Sequence, residues 1–372
     1  MSRIFESVEN FEDFLNLDKI FPHSLSFLKD KEKDKKYSFM YATLYCLTNQ
    51  KLFMHHILNL SKTNTAKNLK DYEFFLMVES IKKDIDISNQ KSSDFNGSDE
   101  TLEFIKTFKF SLGNEINEPR ILMRYIFIDI LTSLNNNSSN NSEIPSSGIL
   151  ASNKNNFSSN FSLKNSLKRS FDWSNNLNLD NEYNIIIKTT GIQQNIKYRY
   201  SSYLKFYLKE NKTNTLIDCL NEYLKYSRDD NLYTNKSNKS LFYKNNIYIK
   251  LPQTLIILIY FGKNKEEPHN YLYNFDEILD LKNVEFVDQN IKYKKYFLSA
   301  MIVCKFPEQE NKYFYTFFRR DINSLFRIYN SKDNQINDIK DTKKELEHLK
   351  QEKKCERKNI KSYPYVLVYT AF

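Results

Sequence analysis

Side chains able to do covalent or metal chemistry are few in this 372-residue sequence, and their spacing suits little of it. The four cysteines are Cys46, Cys219, Cys304 and Cys355, far apart and each in an apolar or mixed segment. A structural zinc needs paired ligands to close a tetrahedron, and no CxxC pair exists. A disulfide framework is equally poorly served by so few cysteines in so long a chain, whereas a reducing compartment suits them. The histidines are His23, His55, His56, His269 and His348. The adjacent pair falls on a helical stretch, where neighbouring side chains diverge by about 100°, so it makes no clean metal pair. The other three are scattered and read as surface or cap residues. The sequence therefore predicts no metal and no cofactor.

The elements that would position any site fall into two halves. The segment from Ser38 to Leu60, SFMYATLYCLTNQKLFMHHILNL, spaces Phe39, Thr43, Cys46 and Leu47 on one helical face, with Met54, Ile57 and Leu58 following. Asn49–Gln50 suggests a break between two helices. Further helical runs cover Asp99 to Phe110 and Pro119 to Leu134, the latter with Pro119 suited to a first turn. From Asn135 to about Asn165 the chain is Asn/Ser-rich and cannot bury enough apolar area to offset its ordering entropy. The stretch Asn89–Ser98 has a similar composition. Beyond it, Asn184 to Lys209 contains two β-rich runs split by a Gly-containing turn, and Thr213 to Ser227 is an amphipathic helix. The segments NIYIKLPQTLIILIYF, YKKYFLSAMIVCKF, KYFYTFFRR and YPYVLVYTAF are aromatic and β-branched, and predict one substantial, largely antiparallel sheet. Between the last two lies a charged helical insertion at about 338–361. Its Leu346 and Leu349 are too few for a coiled-coil seam.

Hydrophobic residues make up 40% of the chain, enough for a sizeable core and against wholesale disorder. Net charge is +9, but the lysines are spread along the chain and mixed with acids, which reads as a solvated surface more than a nucleic-acid patch. The most apolar stretch, Leu251 to Phe261, is too short to span a bilayer, and the N-terminus has acids where a signal peptide needs an apolar run. The expectation is a soluble protein of the cytoplasm or nucleus.

The order of these segments resembles the ubiquitin-specific protease family from about Lys33 to Phe372. KKYSFMYATLYCLTNQKLF looks like the family's first box, with Phe39, Met40, Leu44, Cys46, Leu47 and Asn49 retained. EPRILMRYIFIDIL resembles, by hydrophobic pattern only, the helix that carries a Gln-Asp-Ala-x-Glu-Phe signature in the family. TLIDCLNEYLK is similar to the segment before the end of the fingers, and LPQTLIILIYF to the leucine-proline strand. YKKYFLSAMIVCKF, KYFYTFFRR and YPYVLVYTAF are similar to the closing sheet. No single motif is specific; the ordered set carries the resemblance.

The resemblance implies an α+β, papain-like fold with a helical thumb and a mostly antiparallel palm-and-fingers sheet. The implied organisation is an N-terminal extension (1–32), a thumb (33–134), an Asn/Ser-rich insertion (135–165), and a sheet part (166–372) with the charged insertion. Residue by residue, it also implies that no catalytic site is intact. The nucleophile position holds Ser38, and a hydroxyl without a general base is a poor nucleophile. The Gly-His-Tyr base position corresponds to Tyr313, Phe314 and Tyr315, and a phenyl ring cannot accept a proton. The orienting residue corresponds to Asn330, and the oxyanion-stabilising Asn to Lys33. Lys35, Lys36 and Tyr37 replace the Gly-Asn-Thr that leads to the nucleophile. Loss of one oxyanion donor alone costs about 10²–10³ in rate. The implied ligand is ubiquitin or a ubiquitin-like protein, within a protein complex or alone. Two alternatives stand beside this reading. One is an active hydrolase with a displaced nucleophile such as Cys46, which matches a buried core position in the family. The other is a basic RNA-binding or scaffold protein.

Deleting residues 135–165 tests the composition argument. The shortened chain should fold with a thermal midpoint close to that of the full chain, because the tract offers almost no apolar surface. Failure to fold would show that the tract is integral.

Overall fold

The computed structural model describes residues 38–62, 72–90, 99–112, 115–130, 185–190, 196–209, 213–226, 245–261, 272–306, 313–319, 321–330, 335–339 and 361–372. Residues 1–32, 135–165 and most of the insertion expected at about 338–361 lie outside that set, so those calls are not addressed by it.

The first helix, α1 (Ser38–Thr48), contains no charged residue and is buried along its whole length. A helix without a polar face must be enclosed, and its few polar groups must be bonded internally. Thr43 Oγ1 donates to Phe39 O at 2.8 Å, and Thr48 Oγ1 to Leu44 O at 2.8 Å. Asn49 Nδ2 donates to Tyr45 O at 2.8 Å, which ends the helix at the expected break. Gln50 Oε1 then accepts from Ser299 Oγ at 2.9 Å, tying the break to the sheet. The chain resumes as α2 (Lys51–Ser61).

Three further helices complete this half: α3 (Tyr72–Gln90), α4 (Asp99–Ser111) and α5 (Pro119–Arg124), the last running into a π-helical turn at Tyr125–Ile130. Helix α3 was not anticipated from the sequence, and it carries Asn89 and Gln90 into regular structure that composition alone would place in a polar tract. Its Phe74, Phe75, Met77, Val78 and Ile81 are buried, so packing decides what its mixed tail does not.

The strands are β1 (Ile185–Thr190), β2 (Ile196–Ser201), β3 (Leu204–Leu208), β4 (Thr213–Thr215), β5 (Asn245–Lys250), β6 (Thr254–Phe261), β7 (Leu272–Asn274), β8 (Ile278–Asp280), β9 (Lys295–Phe306), β10 (Tyr313–Phe318), β11 (Arg327–Asn330), β12 (Gln335–Asp338) and β13 (Lys361–Ala371), with helix α6 (Leu216–Tyr226) after β4. The large sheet runs β12-β11-β10-β9-β13-β6-β3, with β8 beside β9. It is antiparallel except where β3 meets β6. Strands β2-β1-β5 form a separate antiparallel sheet, and β4 pairs with β7. The one substantial, largely antiparallel sheet expected from four segments is the large sheet, and of those segments only Asn245–Lys250 (β5) lies outside it, paired with β1. Asn184–Lys209 holds three strands rather than two, and Thr213–Thr215 is strand rather than the start of the helix.

Both faces of the large sheet are covered, which is why β6 reads as the unbroken apolar run TLIILIYF. Its Ile256 and Leu258 face the core shared with α1 to α5. Leu255, Ile257 and Ile259 face the opposite core, shared with α6. Helix α1 meets the first face through Tyr45, whose ring stacks on Tyr329 with centroids 3.9 Å apart and on Phe318 at 6.4 Å. Truncating Tyr45 to alanine removes both stacks from a closed core. The variant should lose about 3–5 kcal/mol of stability, read as a fall in denaturant midpoint.

Candidate functional site

Helix α1 lies along β10 with its N-terminal end over the start of that strand. Tyr45 stacks on Phe318, and one helical turn earlier Ala42 O accepts from Thr316 Oγ1 at 2.7 Å. Strand side chains alternate, so Phe314, Thr316 and Phe318 share the face turned to the helix. Continuing the progression brings Ser38 to the Phe314 end of β10. Both are enclosed, Ser38 at 4% exposure and Phe314 at 1%. No imidazole or carboxylate among the described residues bonds the Ser38 hydroxyl, so none of them serves it as a base.

Phe314 is one member of an aromatic group. It meets Tyr365 of β13 edge-on at 5.7 Å. Phe261 packs on Tyr363 at 5.5 Å and on Tyr365 at 5.8 Å. Cys304 is the register partner of both Phe314 and Tyr363. Burial pushes the Tyr365 phenol far above its usual range, with Cys304 adding to the effect. The Tyr365 phenol therefore stays protonated near neutrality.

Asn330 is not brought to this face. Tyr329 pairs with Thr316 and Asn330 with Tyr315, and Tyr315 packs into the opposite core. Consecutive strand residues point to opposite faces, so the register turns Asn330 away from Ser38 and Phe314. Lys33 and the stretch 35–37 lie outside the described residues.

The remaining candidates do not assemble into a second site. Cys46 is fully buried in the α1 core, and burial pushes its thiol far above the range in which a thiolate forms. Cys219 is pushed up to about 12, mainly by burial. His55 is exposed, with Asn59 Nδ2 3.2 Å from its ring. His23, His269 and His348 lie outside the described residues. Among the described residues no group of three His, Cys, Asp or Glu could hold a metal ion.

Sequence reasoning missed a cationic group beside the aromatic one. Arg120 Nε and Nη2 donate to the two oxygens of Glu118 at 3.0 and 2.8 Å, and Nη1 donates to Ile259 O at 2.7 Å. Its guanidinium lies 4.0 Å from the centroid of Tyr365 and 4.8 Å from that of Tyr260. Burial works against this charge, but the Glu118 pair outweighs it and the pKa is raised. The available signal was two arginines spaced i, i+4 in the run Pro119–Ile130, which is apolar apart from them, Tyr125 and Asp129.

Helices α1 to α5 on one face of a mostly antiparallel sheet, α6 on the other, and α1 seated on β10 make an α+β, papain-like fold of the ubiquitin-specific-protease type. Solved structures carry this fold. A chain of the yeast SAGA DUBm with an Sgf73 mutant aligns at TM-score 0.56 and 15% identity, over 98% of this chain and 74% of that one. The SAGA Ubp8/Sgf11/Sus1/Sgf73 DUB module aligns at 0.55 and 13%, over 99% and 74%. The same module bound to ubiquitin aldehyde aligns at 0.56 and 13%, over 98% and 74%. The relationship is remote, and at this identity it establishes the fold. No family model and no curated protein matches the chain.

The buried thiol yields a direct check. Native protein treated with iodoacetamide at pH 8–9 should leave Cys46 unmodified by mass spectrometry, and denatured protein should be alkylated there. The raised pKa means that the protonated form persists as pH climbs through the ordinary thiol range.

Proposed function

We propose that this chain is a non-catalytic binding module on a ubiquitin-specific-protease fold. Its ligand is ubiquitin, a ubiquitin-like protein or a partner complex, in the cytoplasm or nucleus. What supports the reading is Phe314, which the resemblance assigns to the base position and which is enclosed in an aromatic group, with Ser38 at the position the resemblance assigns to the nucleophile. Hydrolysis of an isopeptide bond needs a nucleophile and a base acting as a unit, and neither residue supplies its part. A displaced nucleophile at Cys46 is disfavoured by its burial and protonated thiol. Among the described residues Cys46, Cys219 and Cys304 form no disulfide. The ubiquitin aldehyde held by one structural neighbour supports ubiquitin as the first ligand to test.

The chain should not react with an electrophilic ubiquitin probe that traps cysteines, and should not cleave ubiquitin chains. It should bind ubiquitin in calorimetric titration. The double variant Ser38→Cys with Phe314→His should stay inert, because Lys33 and the stretch 35–37 still lack the family's oxyanion residue and approach. Cleavage by the unmodified chain that survives Ser38→Ala would overturn both the reading and the assigned positions.

A further inference from the structure

Helix α5 and the β3–β6 end of the large sheet hold a group in which cations outnumber anions. Arg120 and Arg124 are four residues apart and so share one helix face. On β3, Leu204, Phe206 and Leu208 fill the core shared with α6. Alternation then turns Tyr203, Lys205 and Tyr207 to the face beneath α5. Lys205 Nζ lies 5.7 Å from the Tyr203 ring centroid, and the Tyr207 ring stacks on Tyr260 at 5.4 Å. Arg120 spans Tyr260 and Tyr365.

Glu118 neutralises Arg120, but among the described residues no carboxylate pairs with Arg124 or Lys205. Arg124 Nε is buried without a hydrogen-bond partner. Burial, and then the charge of Arg124, lowers the Lys205 pKa. Arg124 also interacts with the Tyr203 hydroxyl, a neutral partner. Two partly buried cations side by side, with no carboxylate on either among the described residues, are unfavourable unless an anion joins them. The group opens to solvent, since Tyr207 is 63% exposed.

We propose that this cluster binds an acidic peptide segment, with a carboxylate between Arg124 and Lys205 and an apolar or aromatic side chain on the Tyr207–Tyr260 stack. The inference rests on the binding-module reading and deepens it, because Tyr365 joins Arg120 to Phe314 and makes the cluster continuous with that site. A nucleic acid would need a track of exposed cations following its backbone. Here the cations form one compact, partly buried group.

The test uses the full chain and a fluorescein-labelled, N-acetylated octapeptide of glutamate and phenylalanine, followed by anisotropy. The analogue with glutamine for glutamate should bind at least about tenfold more weakly. Lys205→Glu should weaken binding of the acidic peptide by about tenfold or more and raise the thermal midpoint, because it gives Arg124 an internal carboxylate. Tyr207→Ala, at an exposed position, should weaken binding without lowering the midpoint. Equal binding of the glutamine analogue, undiminished binding by Lys205→Glu, or displacement of the peptide by oligouridylate at lower concentration than by unlabelled peptide would overturn the proposal. Ubiquitin is titrated in parallel. Ubiquitin binding without peptide binding removes this site and leaves the binding-module reading standing. Peptide binding without ubiquitin binding supports the site and removes ubiquitin from that reading.

Discussion

Helix α1 carries no charge and is enclosed on all sides, and the rest of the molecule is arranged to enclose it. Strand β10 contributes Thr316, whose hydroxyl reaches the Ala42 carbonyl, and β11 contributes Tyr329, which stacks on Tyr45. Gln50 anchors the far end of the helix to Ser299 of β9. An interior of this kind is close-packed, and each contact restricts the position of the next. The placement of Ser38 toward the start of β10 follows from contacts made one, two and more helical turns away from it.

The same packing explains why the position opposite Ser38 does no acid–base chemistry. In a catalytic cleft a titratable group must reach both solvent and substrate, and its partners tune its pKa. Phe314 is instead joined to Tyr365, Tyr363 and Phe261 by ring contacts, with Cys304 beneath them. Charge lies one step away, on Arg120 beside the same Tyr365, with Arg124 one helical turn further and near Lys205. The region is thus closed aromatic packing with positive charge beside it.

Local patterns were legible where burial imposes a period. The spacing of Phe39, Cys46 and Leu47 marks α1, and the turn residues Asn49–Gln50 mark its end because Asn49 bonds back to Tyr45. The apolar run Leu255–Ile259 marks a strand buried on both faces. Helix α3 was not legible, since its polar C-terminal tail resembles loop composition while its first turns are held by tertiary contacts. Thr213–Thr215 read as helix because its strand character depends on pairing with Leu272–Asn274, about sixty residues later.

By itself the sequence determined which chemistries are open. It has no CxxC pair, and Ser38, Phe314 and Lys33 carry a hydroxyl, a phenyl ring and an ammonium. Those are statements about side-chain type, which no folding alters. Tertiary structure alone decided which side chains share a face. A strand changes face with every residue, so only the pairing of β10 with β11 shows that Tyr329 reaches the α1 side and Asn330 does not. Likewise only the seating of α5 over the β3–β6 edge brings Arg124 of the helical half beside Lys205 of the sheet half.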